Sequence, residues 1–578
     1  MIPLQDYLSV VLKYKEVSRR EFPPRVYTLD FDLMEPSKRN RKPEFSYRSI
    51  SAALKNIENN PLLILTTASE HLKTLNRYSV SCPSRLRHLE VCAQFGYRAI
   101  QEVYDSFQEK EEFPESQERR QTLVSAIETI KGLAAGYKLV FQYYYSLPDK
   151  MYYALEDRIQ ALGFKIMELT YLEQYLGALR YQKLSEQTWR DCSQLFFALY
   201  KSGLASKEQK LNQCLNSTCD DVDRVTGRMT NIQQLYVSIQ LLGLMDVTNW
   251  PFALLSKMEA YIFETASYVS LANDNGDQLK QGNLIIYHEQ ICPPLFDRLD
   301  TGIKDALLID ITEFEKDLRE KYDQLIIGHQ EEKEDELYSI DLSPDKYDEL
   351  NLVDKMLNKL HFISRSEARN YVNQFSKLQL FFGFRECFKF VRDFSDPDYD
   401  LLNSDFSLKK TLAQQSSQIV SKQGLQHDQR WYVINESQGG VHLRLQETQY
   451  TPTMFIGQVV ITNLQEEGKN SFDVGYVSRI HRGRGSDVEI TIIKIGKEAE
   501  CVGLQDEQLK QKGDIIPSLL VKGFSGQEVV IVYSKQQVYL DSTLYILWKN
   551  DVQSLQLGQK RLKLPEIVAF DVIGYSPE

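Results

Sequence analysis

Apolar residues recur every three or four positions through the first half of the chain and every second position through most of the last third. Residues 49–59, 68–76, 83–109 and 116–147 each carry the helical spacing, with Pro83 placed as a helix start and Pro148 as a stop. Across residues 151–200 the spacing is clearest. Leu155, Ile159, Leu162, Ile166, Leu169 and Leu172 form one stripe, and Trp189, Cys192, Leu195, Phe196 and Leu199 form a second on a following helix. No repeat of about 34 residues accompanies these helices, so a helical bundle or irregular α-array is predicted rather than a solenoid.

Between residues 268 and 311 the period changes. Residues 268–271, 284–287 and 306–311 read as short strands, and Thr312 with Glu315 makes a capping box for the helix that follows. Residues 331–348 are acidic and polar. Ser343 and Asp345 stand where the next helix can begin, with Leu350, Val353, Met356, Leu357 and Leu360 on its apolar side. Residues 454–462, 472–480, 488–495, 516–521, 529–533, 539–547 and 567–574 then alternate between Gly-containing turns, predicting one compact antiparallel barrel. The expected fold class is a multidomain α+β protein. Its parts are an extended arm (1–45), a helical domain (46–330) with the β excursion, an acidic linker (331–348) and a β-barrel domain (349–578) carrying an insertion at 386–426.

Composition narrows the function classes. A chain of 578 residues holds two to four domains, and 42% apolar with 26% charged residues is the balance of a soluble globular protein. The formal net charge of −12 argues against a general DNA or RNA binder. No apolar run reaches the roughly 18 residues of a membrane span, and residues 1–17 lack the h-region of a signal peptide, so a cytoplasmic protein is expected. Of the 8 Cys, only Cys214 and Cys219 lie close together, without a second pair or a His cluster, and no metal site is predicted. Residues 273–277 (Asn-Asp-Asn-Gly-Asp) lack the ligand ladder of a calcium loop and read as a turn, and the basic run at 38–42 reads as a solvated linker. The chain has no phosphate-binding glycine loop, no HExxH and no GxSxG elbow, and its His residues are isolated. No enzyme is predicted.

The stretch with the most specific chemistry is residues 431–445, a strand, a polar turn and a second strand. Asn435 and Ser437 lie on the turn, and Gly439 and Gly440 break it. Upstream, Arg365 and Arg369 stand four residues apart, between a helical segment and the strand-like run 377–384. A pair of arginines at that spacing is weak alone, and Arg224 with Arg228 is a second example. Together with Asn-x-Ser-x-x-Gly in a β-rich domain, in this order, the pair resembles the two-part signature of the PilZ family. The resemblance covers residues 357–578, and its departure is the long insertion between the two motif halves.

PilZ domains bind cyclic di-GMP, and the resemblance implies Arg365, Arg369, Asn435, Ser437 and Gly440 as the ligand-binding residues. The chemistry fits. A guanidinium can pair two phosphate oxygens or span guanine O6 and N7, an Asn amide can read a guanine edge, and glycine lets backbone approach a ligand. Arg430, Trp431 and Arg479 are further candidates for the rim. The expectation is a cyclic di-GMP receptor with no other cofactor, relaying ligand binding to a protein partner through the helical region. The alternative is a helical interaction scaffold whose barrel keeps the fold and has lost the ligand.

Overall fold

The computed structural model describes residues 27, 29, 31, 46–107, 116–210, 229–246, 248, 250–273, 284–296, 306–335, 344–360, 370–371, 377–395, 430–446, 451–466, 469–482, 487–505, 515–533, 544–548 and 551–576. Cys214, Cys219, Arg224, Arg228, residues 38–42 and Asp274–Asp277 of the proposed turn lie outside these.

The helical body begins with α1 (Tyr47–Asn56), α2 (Pro61–Arg77), α3 (Cys82–Phe107) and α4 (Gln117–Tyr145). It continues with α5 (Asp149–Ala154), α6 (Glu156–Ala178) and α7 (Glu186–Lys201). After the short pair β1 (Gln209–Lys210) and β2 (Met229–Thr230) come α8 (Ile232–Met245) and α9 (Phe252–Thr265). Starts are set locally: the side chains of Ser46, Asn60, Ser116, Ser185 and Asn231 each accept a backbone N–H of the first turn. The expected β excursion is a four-stranded antiparallel sheet of β3 (Ser270–Asn273), β4 (Leu284–Tyr287), β5 (Leu295–Phe296) and β6 (Ala306–Asp310), in the order β3-β6-β4-β5. Then α10 (Thr312–Asp335) and α11 (Pro344–Leu360) pack side by side, so helix enters the acidic stretch from both ends.

One apolar cluster joins all of this, from Phe31 to Leu360. Phe31 of the N-terminal arm is buried in it, and Leu352, Val353, Met356 and Leu360 of α11 complete it. The helix immediately preceding the arginine pair is therefore built into the helical body. Helix α6 departs from the predicted stripe. It is buried on every side, with Gln160, Glu168, Thr170, Glu173 and Gln174 inside as well as its leucines. Neighbours engage three of these groups: Gln160 donates to the Lys207 carbonyl (2.9 Å), Tyr97 to Glu168 (3.3 Å) and Gln174 to the Ile239 carbonyl (3.1 Å).

Beyond α11 the chain continues with β7 (Asn370–Tyr371), β8 (Lys377–Phe382), α12 (Phe384–Ser395), β9 (Arg430–Ser437), β10 (Gly440–Gln446), β11 (Val459–Glu466), β12 (Lys469–Arg482) and β13 (Asp487–Gln505). It ends with β14 (Ile516–Gly523), β15 (Glu528–Tyr533), β16 (Leu544–Trp548), β17 (Asp551–Lys563) and β18 (Ile567–Ser576). The sequence predicts one barrel, whereas the pairings close two. Strands β8, β11, β12, β13, β10 and β9 form one antiparallel ring, and β13, β14, β15, β18, β17 and β16 form another. The 19-residue β13 serves both: its first half pairs β10 and β12, its second half β14 and β16. Side chains can fill a ring of about eight strands or fewer, so strands enough for a wider ring divide into two small cores. Strand β13 bends where it changes rings. Glu498 there has φ +52° at a register shift, and a Cβ on Gly496 would lie 2.3 Å from the Lys522 carbonyl oxygen.

The helical start of the insertion, α12, fills the junction. Phe384, Cys387, Phe388 and Val391 pack with Val459, Val474, Ile495, Leu519 and Ile531 from both rings. Glu566, on the β17–β18 turn, clamps this junction by accepting the Phe384 N–H (2.8 Å) and the Val459 N–H (2.9 Å). Burial pushes its carboxyl up to about 7, against the pull of those two donors. The folded carboxyl thus holds a proton that the unfolded one, near 4.5, has released. Its contribution to stability therefore grows as pH falls from above 7 towards 4.5. Glu566→Gln leaves one of the two N–H donors facing an amide NH₂. We expect it to cost about 1–3 kcal/mol in chemical unfolding and to remove that rise. A variant as stable as the parent at every pH would contradict the clamp.

Candidate functional site

The β9–β10 hairpin carries the Asn-x-Ser-x-x-Gly residues. Ser437 pairs with Gly440 across the turn, and its hydroxyl donates to the Gly440 carbonyl at 3.4 Å. Asn435 is buried at 8% exposure. Gly440 meets a structural demand of its own: a Cβ there would lie 2.8 Å from the Ile492 carbonyl oxygen of β13. Arg365 and Arg369 lie outside the described residues. The two residues directly after Arg369 do not: Asn370 pairs with Glu436 and Tyr371 with Asn435. The chain leaving the arginine pair is therefore hydrogen-bonded, as β7, to the strand that bears Asn435.

Cross-strand partners project from the same face of a sheet, so the pairings define what surrounds this hairpin. One row runs Arg479, Thr491, His442, Asn435 over β12, β13, β10 and β9. The next runs His481, Glu489, Arg444, Tyr432. Between the rows, Ile480, Ile490 and Leu443 are buried in the ring's core with Trp431 and Val433. In the closed ring the two rows form a polar band around its outside, with β9 and β12 on opposite sides. Glu489 organises it, receiving Arg444 through Nε (2.9 Å) and a second guanidinium nitrogen (2.6 Å), with His442 at 3.3 Å. At the turn end Lys494 is held by Glu436 (2.5 Å) and Asp473 (2.7 Å). Burial disfavours the Lys494 charge, but hydrogen bonds to the two carboxylates outweigh it and raise the ammonium above its usual range.

The helical body meets the first ring at β12. Tyr181, after α6, has φ +55°, is buried within the barrel cluster, and its carbonyl accepts the Arg482 N–H at 3.1 Å. Asp246 caps the C-terminus of α8 with φ +53°. Its carboxylate meets Lys183 (2.9 Å), accepts the Thr248 hydroxyl (2.7 Å) and faces Arg479 of β12 (3.3 Å), whose Nε also donates to Thr248 (3.3 Å). Burial opposes ionisation of Asp246, yet Arg479, Lys183 and the Thr248 hydroxyl hold its carboxyl down at about 2. On the barrel side, His481 has its pKa lowered by burial and by Arg479 and Lys183.

Of the proposed rim residues, Arg479 is engaged with the helical body, and Trp431, 1% exposed, belongs to the barrel core rather than to a rim. The side chain of Arg430 is outside the described set. Sequence reasoning missed Asp246, Lys183 and Tyr181. The one local signal is a pair of non-glycine residues that end helices in a left-handed conformation, and sequence does not display that. Among the described residues no three His, Cys, Asp or Glu side chains come together as a metal centre, and no helix is long and apolar enough to cross a membrane.

Fold and site thus define a class: a helical body docked on tandem antiparallel barrels, the first bearing a polar outer face beside the Asn-x-Ser-x-x-Gly hairpin. Residues 49–275, within the helical body, match the family model described as the N-terminal domain of the cyclic-di-GMP receptor FimW. No curated protein and no solved structure matches the chain.

Proposed function

We propose that this protein is a non-catalytic receptor for cyclic di-GMP. The ligand lies on the outer face of the first barrel, bound by Arg365, Arg369, Asn435, Ser437 and the backbone at Gly440. The arginines take the phosphates or guanine edges, Asn435 a guanine edge, and Ser437 a further polar atom. One observation carries this reading: Asn370 and Tyr371, the two residues that follow Arg369 in the chain, pair as β7 with Glu436 and Asn435 of the hairpin. The match of residues 49–275 to a cyclic-di-GMP receptor family supports it independently.

Because α11 is part of the helical core and ends at Leu360, five residues before Arg365, a ligand that draws in the arginine segment pulls on the helical body. The helical surface then presents or hides a partner site, provided that the ligand favours one arrangement over the other. Equilibrium binding to the full chain, comparing cyclic di-GMP with its linear dinucleotide and with GTP, tests the proposal. Selective binding of the cyclic form supports it. Absent binding leaves a helical scaffold with a ligand-free barrel, and equal binding of all three nucleotides contradicts a site for the cyclic dinucleotide.

A further inference from the structure

Tyr432 and Asn435 stand three positions apart on β9, a separation that puts side chains on opposite faces of a regular strand. The pairing with β10 slips by one residue between His442 and Leu443, so that Tyr432 lies opposite Arg444 and Asn435 opposite His442. A bulge of this kind re-aims side chains. Tyr432, Asn435, His442 and Arg444 therefore share the outside of the ring, on two adjacent strands. Along β9, Tyr432 lies within about 10 Å of Asn435.

The cross-strand pair of Tyr432 and Arg444 has the chemistry of a nucleotide site. Tyr432 is 40% exposed, whereas its neighbours Trp431 and Val433 are buried in the ring's core. Its ring can offer a face to a base. Arg444 is half exposed and held in place by Glu489, which takes Nε (2.9 Å) and Nη2 (2.6 Å). Its Nη1 has no partner among the described residues. A guanidinium already held in one position loses little freedom on taking a phosphate. Cyclic di-GMP carries two guanines and two phosphates, and Asn435 can read only one guanine edge.

We propose that Tyr432 and Arg444 form a second nucleotide half-site beside the Asn435 hairpin. One guanine stacks on the Tyr432 ring and the adjoining phosphate meets Arg444, while the other guanine lies at Asn435. This rests on the receptor reading above and adds two residues to it.

The test is calorimetric titration of the full chain with cyclic di-GMP, in the parent and in Tyr432→Leu, Tyr432→Phe and Arg444→Gln. Thermal unfolding without ligand accompanies each titration. Losing the stacked base should weaken binding about fivefold to a hundredfold in Tyr432→Leu, and losing a charged hydrogen bond about tenfold or more in Arg444→Gln. Tyr432→Phe keeps the ring face and should bind as the parent does. Both positions are exposed, so the ligand-free variants should unfold close to the parent's temperature.

Should the parent bind while Tyr432→Leu or Arg444→Gln keeps its affinity, the half-site is refuted and the receptor stands. Binding by Tyr432→Phe as weak as that by Tyr432→Leu refutes it equally, because the hydroxyl rather than the ring face would be the contact. A fall in affinity that tracks a fall in ligand-free stability assigns the residues to the packing of the hairpin and refutes it too. A parent that binds no ligand removes the receptor reading and the half-site together.

Discussion

Replacing Arg365 and Arg369 together by alanine will weaken cyclic di-GMP binding by about a hundredfold to ten-thousandfold. A hydrogen bond to a charged group contributes about 1.5–3 kcal/mol, so two arginines supply about 3–6 kcal/mol, and each 1.4 kcal/mol is about tenfold in affinity. The loss exceeds that expected for Asn435→Ala, a neutral amide worth about 0.5–1.5 kcal/mol. The ligand-free double variant should unfold at the parent's temperature. Titration of both proteins alongside thermal unfolding checks both halves. Unchanged affinity in a folded double variant would place the ligand elsewhere.

The second large effect lies inside the helical body. Lys138 of α4 meets Asp191 of α7 at 2.5 Å, their side chains 10% and 6% exposed, and Gln187 donates to the other carboxylate oxygen at 2.7 Å. Glu173 of α6 is close by. Burial raises its carboxyl, while the charges of Lys131 and Lys138 hold it down. Lys138 thus serves two buried carboxylates, and Lys131, half exposed and 3.8 Å from Glu173, cannot replace it. Lys138→Met keeps the length of the side chain and removes the charge. We expect it to destabilise the protein by about 3–5 kcal/mol in urea unfolding, the cost of leaving buried charge uncompensated. Pairing it with Asp191→Leu should recover much of that loss, because an apolar pair carries no desolvation penalty. A loss below about 1 kcal/mol for Lys138→Met would mean that water reaches the pair.

Much of the architecture was legible in the chain because its determinants are local. The period of α4 and the alternation in β9 and β10 act over a few residues, and those elements stand close to where the sequence places them. What escaped depends on partners distant in sequence. The burial of α6 on all sides is set by the helices around it, and its Gln and Glu residues read as a solvent face until Lys207, Tyr97 and Ile239 are brought to them. The division of the barrel turns on one long strand changing partners near Gly496, a choice set by the strands on either side of it. At the site, Asn435, Ser437 and Gly440 were visible as a motif, but Gly440 proves necessary to the approach of β13 as well. The Asp246–Arg479 contact joins residues more than two hundred positions apart and left no pattern to read.

If the outside of the first barrel binds cyclic di-GMP, calorimetric titration of the purified full chain will register it. The expected result is saturable binding at micromolar concentration or below, together with a rise in thermal stability that grows with ligand concentration, about 2.7 kcal/mol at a hundred times Kd. Absence of both heat and stabilisation at saturating cyclic di-GMP would contradict it.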